Sequence, residues 1–591
     1  MSRKVLLSAN EAVAWAACKA GCHVASAYPG TPSTEILENV AKFKDSINCE
    51  WAVNEKVAME VVIGASIAGG RALTAMKHVG LNVAMDPLMT YTYVGTNGGL
   101  VIITADDPGM HSSQNEQDNR NIVKFARAPL FEPSDSQEAF DMVQAAFEVS
   151  EQFHAPAFVR LTTRTSHTST VVDVGDDFGP GNRPVKPYVK DISWTIPVPM
   201  FARGHRLKAQ KRTEALRAFA CETPFNRIEE GDRRLGIITS GISYEYVKEV
   251  FPEFSVLKLG FTNPFPGDLV RRFAATVDRL MVIEELDPFL EEQVRELGLT
   301  VVEHETELNM LEMNPTRLMN LRKEILGDIE LPPVKRSDEG LPTRPPVHCA
   351  GCSHRGVFYT LKKLGATVTG DIGCYTLGAF PPLSAMDSTI CMGASIGNAF
   401  GMEKTGHKGR LCAVLGDSTF FHSGMTGILN VLYNGGHITT VVLDNRITGM
   451  TGHQDNPGSG KTLTGDPAPA TDIAAVARGM GYKRVVKVDA YNLAELERVL
   501  KEELDADEPS VVIAGGPCRI AAKLTHAGTY AVEADKCKAC GACFKLGCPA
   551  IVRGEAVAGG KRFKSSIDPS QCAGCNLCPQ VCKFNAIKKI R

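Results

Sequence analysis

RLCAVLGDSTFFHSG (residues 410–424) and ITTVVLDNRITGMTGHQ (438–454) are the two stretches on which the fold turns. Each begins as a short apolar, β-branched run and breaks into small polar residues. The first breaks at Gly416-Asp417-Ser418 and the second at Asp444-Asn445. Such a run reads as a strand buried on both faces. Working outward, residues 345–525 read as strands at 368–373, 409–416, 438–444, 482–488 and 510–515. Helices fall at 388–402, 423–434, 472–480 and 491–505. This alternation implies a parallel α/β sheet whose functional residues lie at the carboxyl ends of its strands. Asp417 and Asn445 are 28 residues apart with one helix between them. Adjacent parallel strands would therefore put both side chains on one rim.

Mg²⁺ prefers octahedral oxygen ligands and often bridges a protein carboxylate to a diphosphate. Asp417, Asn445 and the backbone carbonyl of Ile447 can supply three of those ligands, with the diphosphate and water supplying the rest. Gly416 allows the backbone to approach phosphates, and Ser418 and Thr448 stand at the same strand ends. The pattern resembles the GDG…NN motif of thiamine-diphosphate enzymes. It departs from that motif at Ser418, in place of the last Gly, and at Asp444, in place of the first Asn. The alternative is a set of ordinary strand-end polar residues in another doubly wound fold.

The first third of the chain alternates in the same way: helix 10–20, strand 22–27, helix 33–43, strand 49–53, helix 55–69 and strand 72–77. SAYPGTPSTE (26–35) closes a strand and opens a helix. Pro32 is preset for the first turn, and Thr31 or Ser33 can cap it. WAVNEKVAMEVVIGAS (51–66) carries Glu55, the first acidic residue after an apolar strand. Thiamine chemistry needs one buried glutamic acid against pyrimidine N1′, to drive the tautomer that removes the thiazolium C2 proton. Burial raises the pKa of such a group and keeps its proton available. The plainer reading is a helix N-terminal acid stabilised by the macrodipole. Glu60, over a turn deeper, is the rival carboxyl.

Eighteen cysteines are many for a chain with no secretion signal, and eight of them follow residue 536. CKACGACFKLGCP (537–549) has the spacing C-x2-C-x2-C-x4-C-P, and CAGCNLCPQVC (572–582) has C-x2-C-x2-C-x3-C. Triplets two residues apart wrap three corners of a cubane, and the fourth cysteine of each run crosses to the other cluster. Cys537, Cys540, Cys543 and Cys582 are thus expected on one [4Fe–4S] cluster, and Cys548, Cys572, Cys575 and Cys578 on the second. Gly541 and Gly574 permit the tight loops, and Pro549 and Pro579 turn the chain away. The extra residue before Cys548 departs from the usual bacterial ferredoxin spacing. A zinc ribbon, the alternative, uses pairs of CxxC rather than two triplets each followed by a lone cysteine.

Composition narrows the rest. At 591 residues the chain has room for roughly four domains. Hydrophobic residues at 44% and charged ones at 22% are ordinary for a globular protein. A net charge of −3 leaves no electrostatic footprint for nucleic acid or an anionic membrane. No uncharged apolar run reaches about 18 residues, so no membrane-spanning helix is expected. The start, MSRKVLLSANEAVAWAACKAG, is interrupted by Asn10 and Glu11, which favours an Ala-rich helix over a signal peptide and a cytoplasmic location.

Taken in order, YPGTPSTE, NEKVAMEVVIGAS, MKHVGLN, HCAGCSHRG, DIGCYTLG, LGDSTFFHSG, LDNRITGMTGHQ and the twin cysteine runs resemble the 2-oxoacid:ferredoxin oxidoreductases. Within that family they are most similar to the larger subunit of the enzymes acting on indolepyruvate. The resemblance covers nearly the whole chain and is weakest over about 165–230. It implies oxidative decarboxylation of an arylpyruvate to arylacetyl-CoA and CO₂, with coenzyme A as acyl acceptor, thiamine diphosphate and Mg²⁺ as cofactors, and electrons passed to ferredoxin. Related substrates (pyruvate, branched-chain 2-oxoacids, 2-oxoglutarate) and a non-catalytic electron-transfer subunit are the alternatives. The resemblance also implies a smaller separate subunit, in a heterotetramer of two of each chain. Pro29, Gly30 and Thr31 match coenzyme-binding positions, and Thr31 and His78 match positions near the substrate.

The expected architecture is three doubly wound α/β domains and a C-terminal two-cluster ferredoxin-like α+β domain. Their spans are 1–190 (pyrimidine-binding), 191–230 (linker), 231–335 (transketolase C-terminal-like), 345–525 (diphosphate- and Mg²⁺-binding) and 530–591 (clusters). In the third span, RRLGIITSGISYEYVKEV (233–250) and LMVIEELDPFLEEQVREL (280–297) repeat one strand–helix shape, and the Glu284-Glu285 pair is expected to be non-catalytic. Of the remaining ten cysteines, Cys18, Cys22, Cys49, Cys221, Cys391 and Cys412 read as inert core residues. Cys349 and Cys352 (a CxxC loop), with Cys374 and Cys518 at strand ends, are candidates for a third cluster resembling the family's proximal one. The alternative is a structural loop formed by His348, Cys349 and Cys352.

Overall fold

The computed structural model describes residues 3–331, 340–342, 345–523, 528–557 and 560–590. The span ends expected at 335 and 525 lie outside the described residues. The chain forms two compact units, Met1–Ser337 and Asp338–Arg591.

In the first unit a seven-stranded sheet runs in the order Phe261–Asn263, Leu130–Phe131, Ala157–Thr162, Leu100–Asp106, Ala72–Lys77, Val24–Ala27, Asn48–Trp51. All neighbours are parallel except the edge strand Phe261–Asn263. The central strands are apolar and buried along their length, as expected when helices cover both faces of a parallel sheet. A second sheet has the order Leu280–Ile283, Asp232–Ser240, Phe254–Leu259, Asn226–Glu229 and is parallel except at its last strand.

Two local expectations fail here. The helix after SAYPG begins at Thr34, with Ser33 at the cap position but no side-chain capping bond. The Ser33 hydroxyl donates to the carbonyl of Gly30 instead (2.8 Å), so it closes the turn rather than the helix. Pro32 precedes the helix rather than opening its first turn. Residues 191–230 contain a 24-residue helix, Pro199–Glu222, of which only His205, Ala209, Leu216 and Ala220 are buried.

The second unit holds a fully parallel six-stranded sheet, in the order Ser388–Thr389, Thr367–Gly370, Leu411–Gly416, Thr439–Asp444, Ser510–Gly515, Arg484–Asp489. Residues 388–402, expected as one helix, begin with the edge strand Ser388–Thr389, and the helix itself is Ala394–Lys404. Gly393 adopts a left-handed conformation (φ 87°) before it, which breaks the run. Cys391 sits in that break and is exposed, not a core residue; Cys18, Cys22 and Cys412 are buried. The cysteine-rich end forms two small antiparallel pairs, Tyr530–Val532 with Ile587–Lys589 and Ile551–Ala556 with Phe563–Ile567. Among the described residues no helix is long and apolar enough to cross a membrane.

Candidate functional site

In the first unit, five neighbouring parallel strands end on one rim. The segments that follow them carry Pro29-Gly30-Thr31, Glu55, Lys77-His78, Asp107 and Thr163. Glu55 is the first residue of the helix Glu55–Ile67, capped by Asn54, whose side chain accepts from the Val57 N–H (2.9 Å). It is 5% exposed. Glu60 is exposed and pairs with Lys56, so of the two carboxyls only Glu55 faces the interior. Lys77 packs its stem against Gly30 and donates to the Ser112 carbonyl (3.1 Å). Burial pushes its ammonium below the usual lysine range, against the pull of Asp107 and Glu55. Asp107 accepts from the Ser112 N–H and the hydroxyls of Ser113 and Thr163. His78 is fully buried, and burial together with the adjacent Lys77 charge lowers it to about 4, so its imidazole is neutral. Asn115 faces the ring, yet neither nitrogen makes a well-formed hydrogen bond among the described residues. A buried neutral imidazole with unsatisfied nitrogens is a donor and acceptor held ready for a ligand.

In the second unit, Gly416 pairs in register with Leu443, so Asp417 lies beside Asp444 and one residue short of Asn445. Asp417 is 3% exposed, and burial and the neighbouring Asp444 charge push its carboxyl up to about 7. Asn456 donates to it (3.2 Å), but no Lys or Arg pairs with it among the described residues. Buried carboxylates without a counter-charge are costly, and a divalent cation would supply what this one lacks. Asn445 Oδ1 accepts from the Ile447 N–H (3.2 Å), Asn445 Nδ2 faces His354 Nε2 (3.5 Å), and the Thr448 hydroxyl donates to Ser418 (2.9 Å). These residues fit an oxygen-ligand cation and a diphosphate. The space before Gly416, expected to be kept for phosphate, is occupied by the Tyr375 ring: a β-carbon at 416 would lie 2.8 Å from it. Tyr375 donates to the Ile372 carbonyl and meets the Thr419 hydroxyl.

Sequence reasoning missed His354, Asp371, Tyr375 and Asn456. Asp371 ends the strand Thr367–Gly370, is fully buried, and accepts from the Ser395 N–H (2.6 Å) and hydroxyl (2.7 Å). Its strand-end position was the available signal.

The cysteines gather in the same unit. One cavity is lined by Cys537, Cys540, Cys543 and Cys582, and another by Cys548, Cys572, Cys575 and Cys578. The crossing of the fourth cysteine of each run is therefore present in the fold. Cys374 also lies within electrostatic reach of Cys349, Cys352 and Cys518. Burial pushes Cys352 up to about 12, with Cys374 and Cys349 adding to it, and Cys374 up to about 11, with Cys518 and Cys349 adding to it. Among the described residues no three His, Cys, Asp or Glu side chains close on a point as one metal ion requires.

Residues 371–514 match the family described as "Thiamine pyrophosphate enzyme, C-terminal TPP binding domain". Residues 15–198 match "Pyruvate flavodoxin/ferredoxin oxidoreductase, thiamine diP-bdg". Together with the two parallel α/β sheets, these matches define a thiamine-diphosphate-dependent oxidoreductase. The indolepyruvate oxidoreductase subunit IorA of Pyrococcus abyssi is 41% identical over 100% of this chain and 97% of its own length. That of Methanothermobacter thermautotrophicus is 40% identical over 99% and 97%. The chain belongs to the indolepyruvate oxidoreductase IorA family. A structure of 2-oxoglutarate:ferredoxin oxidoreductase from Magnetococcus marinus aligns at a TM-score of 0.47 and 18% identity, over 55% of this chain and 65% of that one, a likeness too loose to carry an argument.

Proposed function

We propose that this chain oxidatively decarboxylates arylpyruvates, indolepyruvate among them, to arylacetyl-CoA and CO₂, and passes the electrons through [4Fe–4S] clusters to a ferredoxin. The observation that carries the reading is the pair of four-cysteine cavities in the same unit as the Asp417–Asn445 rim. A coenzyme-binding sheet and electron carriers in one compact unit suit a reaction whose electrons leave singly. The substrate class rests on the names of the relatives.

Bound thiamine diphosphate supplies the electron sink for decarboxylation. The chain's own residues do the rest. Asp417 and Asn445, with the backbone at Ile447, would hold Mg²⁺ and the diphosphate, and Ser418 and Thr448 would line its bed. Glu55 holds a proton at the pyrimidine nitrogen, and Pro29, Gly30 and Thr31 frame that ring. Neutral His78 offers a donor to the 2-oxo group of the substrate, and Thr31 lies on the same rim. Cys537, Cys540, Cys543 and Cys582 hold one cluster, Cys548, Cys572, Cys575 and Cys578 a second, and Cys349, Cys352, Cys374 and Cys518 a third. Each cluster needs its thiols deprotonated, and the raised values at Cys352 and Cys374 mean that metal must displace their protons.

We place the enzyme in the cytoplasm as a heterotetramer with a smaller subunit. The test is viologen dye reduction by the anaerobically purified complex, given coenzyme A and a panel of 2-oxoacids. Indolepyruvate and phenylpyruvate should lead by at least tenfold in kcat/KM. A lead by pyruvate or 2-oxoglutarate would transfer the assignment to those acids.

A further inference from the structure

Arg355 is the second residue of the helix His354–Leu364 and is 2% exposed. One terminal nitrogen donates to the carbonyl of Leu546 (2.6 Å), the other to the carbonyls of His348 (2.7 Å) and Cys349 (3.0 Å). Among the described residues its Nε has no hydrogen-bond partner and no carboxylate pairs with it. The other deeply buried arginines differ: Arg71, Arg120 and Arg160 each pair with carboxylates. An arginine stays charged in a protein interior, and a buried charge without its counter-charge costs several kcal/mol. Three carbonyl dipoles offset part of that cost, but they do not amount to an anion.

The guanidinium bridges two loops that carry thiols. Arg355 lies within electrostatic reach of Cys352, on its own loop, and of Cys575, on the cysteine-rich tail. The two loops are pressed together. A β-carbon on Gly351 would lie 2.4 Å from the β-carbon of Ala573 and 3.8 Å from that of Cys575. Gly351 accordingly lines the cavity formed by Cys548, Cys572, Cys575 and Cys578. The carbonyls that Arg355 holds belong to both sides: His348 and Cys349 on one, Leu546, two residues before Cys548, on the other.

We propose that Arg355 is the shared counter-cation of two iron–sulfur clusters, one on the Cys548 group and one on the Cys349 group, an inference that rests on the cluster assignments proposed above. A four-thiolate cubane is anionic and gains one further negative charge on reduction. No bond forms or breaks in that step, and Arg355 neither gives nor takes a proton. A buried cation stabilises the reduced form more than the oxidised one, because cluster potentials follow the net charge and hydrogen bonds around them. Arg355 is thus a positioning residue that keeps both potentials high enough to accept electrons at the point where the two loops meet.

The test is a potentiometric titration followed by electron paramagnetic resonance, on the anaerobically purified complex, for wild type, Arg355→Lys, Arg355→Gln and Arg355→Met. Iron is counted in each sample. Arg355→Met should lower the potential of at least one cluster by tenfold or more in its reduction equilibrium, 59 mV for one electron, with Lys intermediate. Unchanged potentials at wild-type iron content would overturn the proposal. If Met prevents cluster assembly, the Lys and Gln variants decide: equal potentials in the two would show that charge is not what Arg355 supplies. Wild-type protein with no iron would instead overturn the cluster assignments themselves.

Discussion

A β-carbon on Gly80 would lie 2.7 Å from Oε1 of Glu55. The helix His78–Val83 therefore approaches the Glu55 carboxyl as closely as a glycine allows. Gly80→Ala should push Glu55 out of place by a few tenths of an ångström. A misplacement of about 1 Å costs about 10²-fold in rate, so a loss of roughly tenfold is expected in steady-state turnover, with iron content unchanged. Wild-type turnover in Gly80→Ala would mean that the position of Glu55 is not critical.

Glu55→Gln keeps the shape of the side chain but cannot give or take a proton. Loss of one acid–base group typically costs roughly 10²–10⁴-fold. Turnover should fall by that much while coenzyme binding, measured by calorimetry, stays within a few-fold. Glu60→Gln, on the exposed face, should be silent. A Glu55→Gln enzyme within threefold of wild type would move the role elsewhere.

Asp417→Ala should abolish Mg²⁺-dependent binding of thiamine diphosphate, because the carboxylate that anchors the cation is gone. Calorimetry with the diphosphate, with and without Mg²⁺, reads this directly. Unchanged affinity would remove Asp417 from the metal site.

Glu285 gives a prediction about stability. It is fully enclosed, accepts from the Met313 N–H (2.9 Å), and is pushed by burial from 4.5 up to about 7. Because the folded carboxyl holds its proton more tightly than the unfolded one, its contribution to stability is complete below pH 4.5 and is lost as pH rises through about 7. Glu285→Gln keeps the acceptor and removes the titration. The variant should match wild type in Tm near pH 5 and exceed it near pH 8. Equal pH slopes in the two proteins would contradict this.

Much of this was legible in the residues. The strands 72–77 and 510–515 occur at the expected bounds because each is a mostly apolar run between polar turns. The pairing of each cysteine triplet with the other run's last cysteine followed from spacing alone, and the cavities have that membership. The helix Pro199–Glu222 was not legible: its four buried positions among 24 share one face, but one is His205 and two are Ala, too weak an apolar signal among the surrounding Lys, Arg and Gln. Tyr375 against Gly416 and His354 against Asn445 were hidden for another reason. Each contact joins segments more than 40 residues apart, and only the strand order of the finished sheet brings them together.

The central claim is that electrons taken from an arylpyruvate pass into iron–sulfur clusters on this chain. The anaerobic complex, mixed with indolepyruvate and coenzyme A in the absence of any acceptor and frozen within one turnover, reads that step by electron paramagnetic resonance. The account predicts a reduced-cluster signal that appears with substrate and is missing in Glu55→Gln. A coenzyme-loaded, iron-replete wild-type complex that gives no such signal would contradict it.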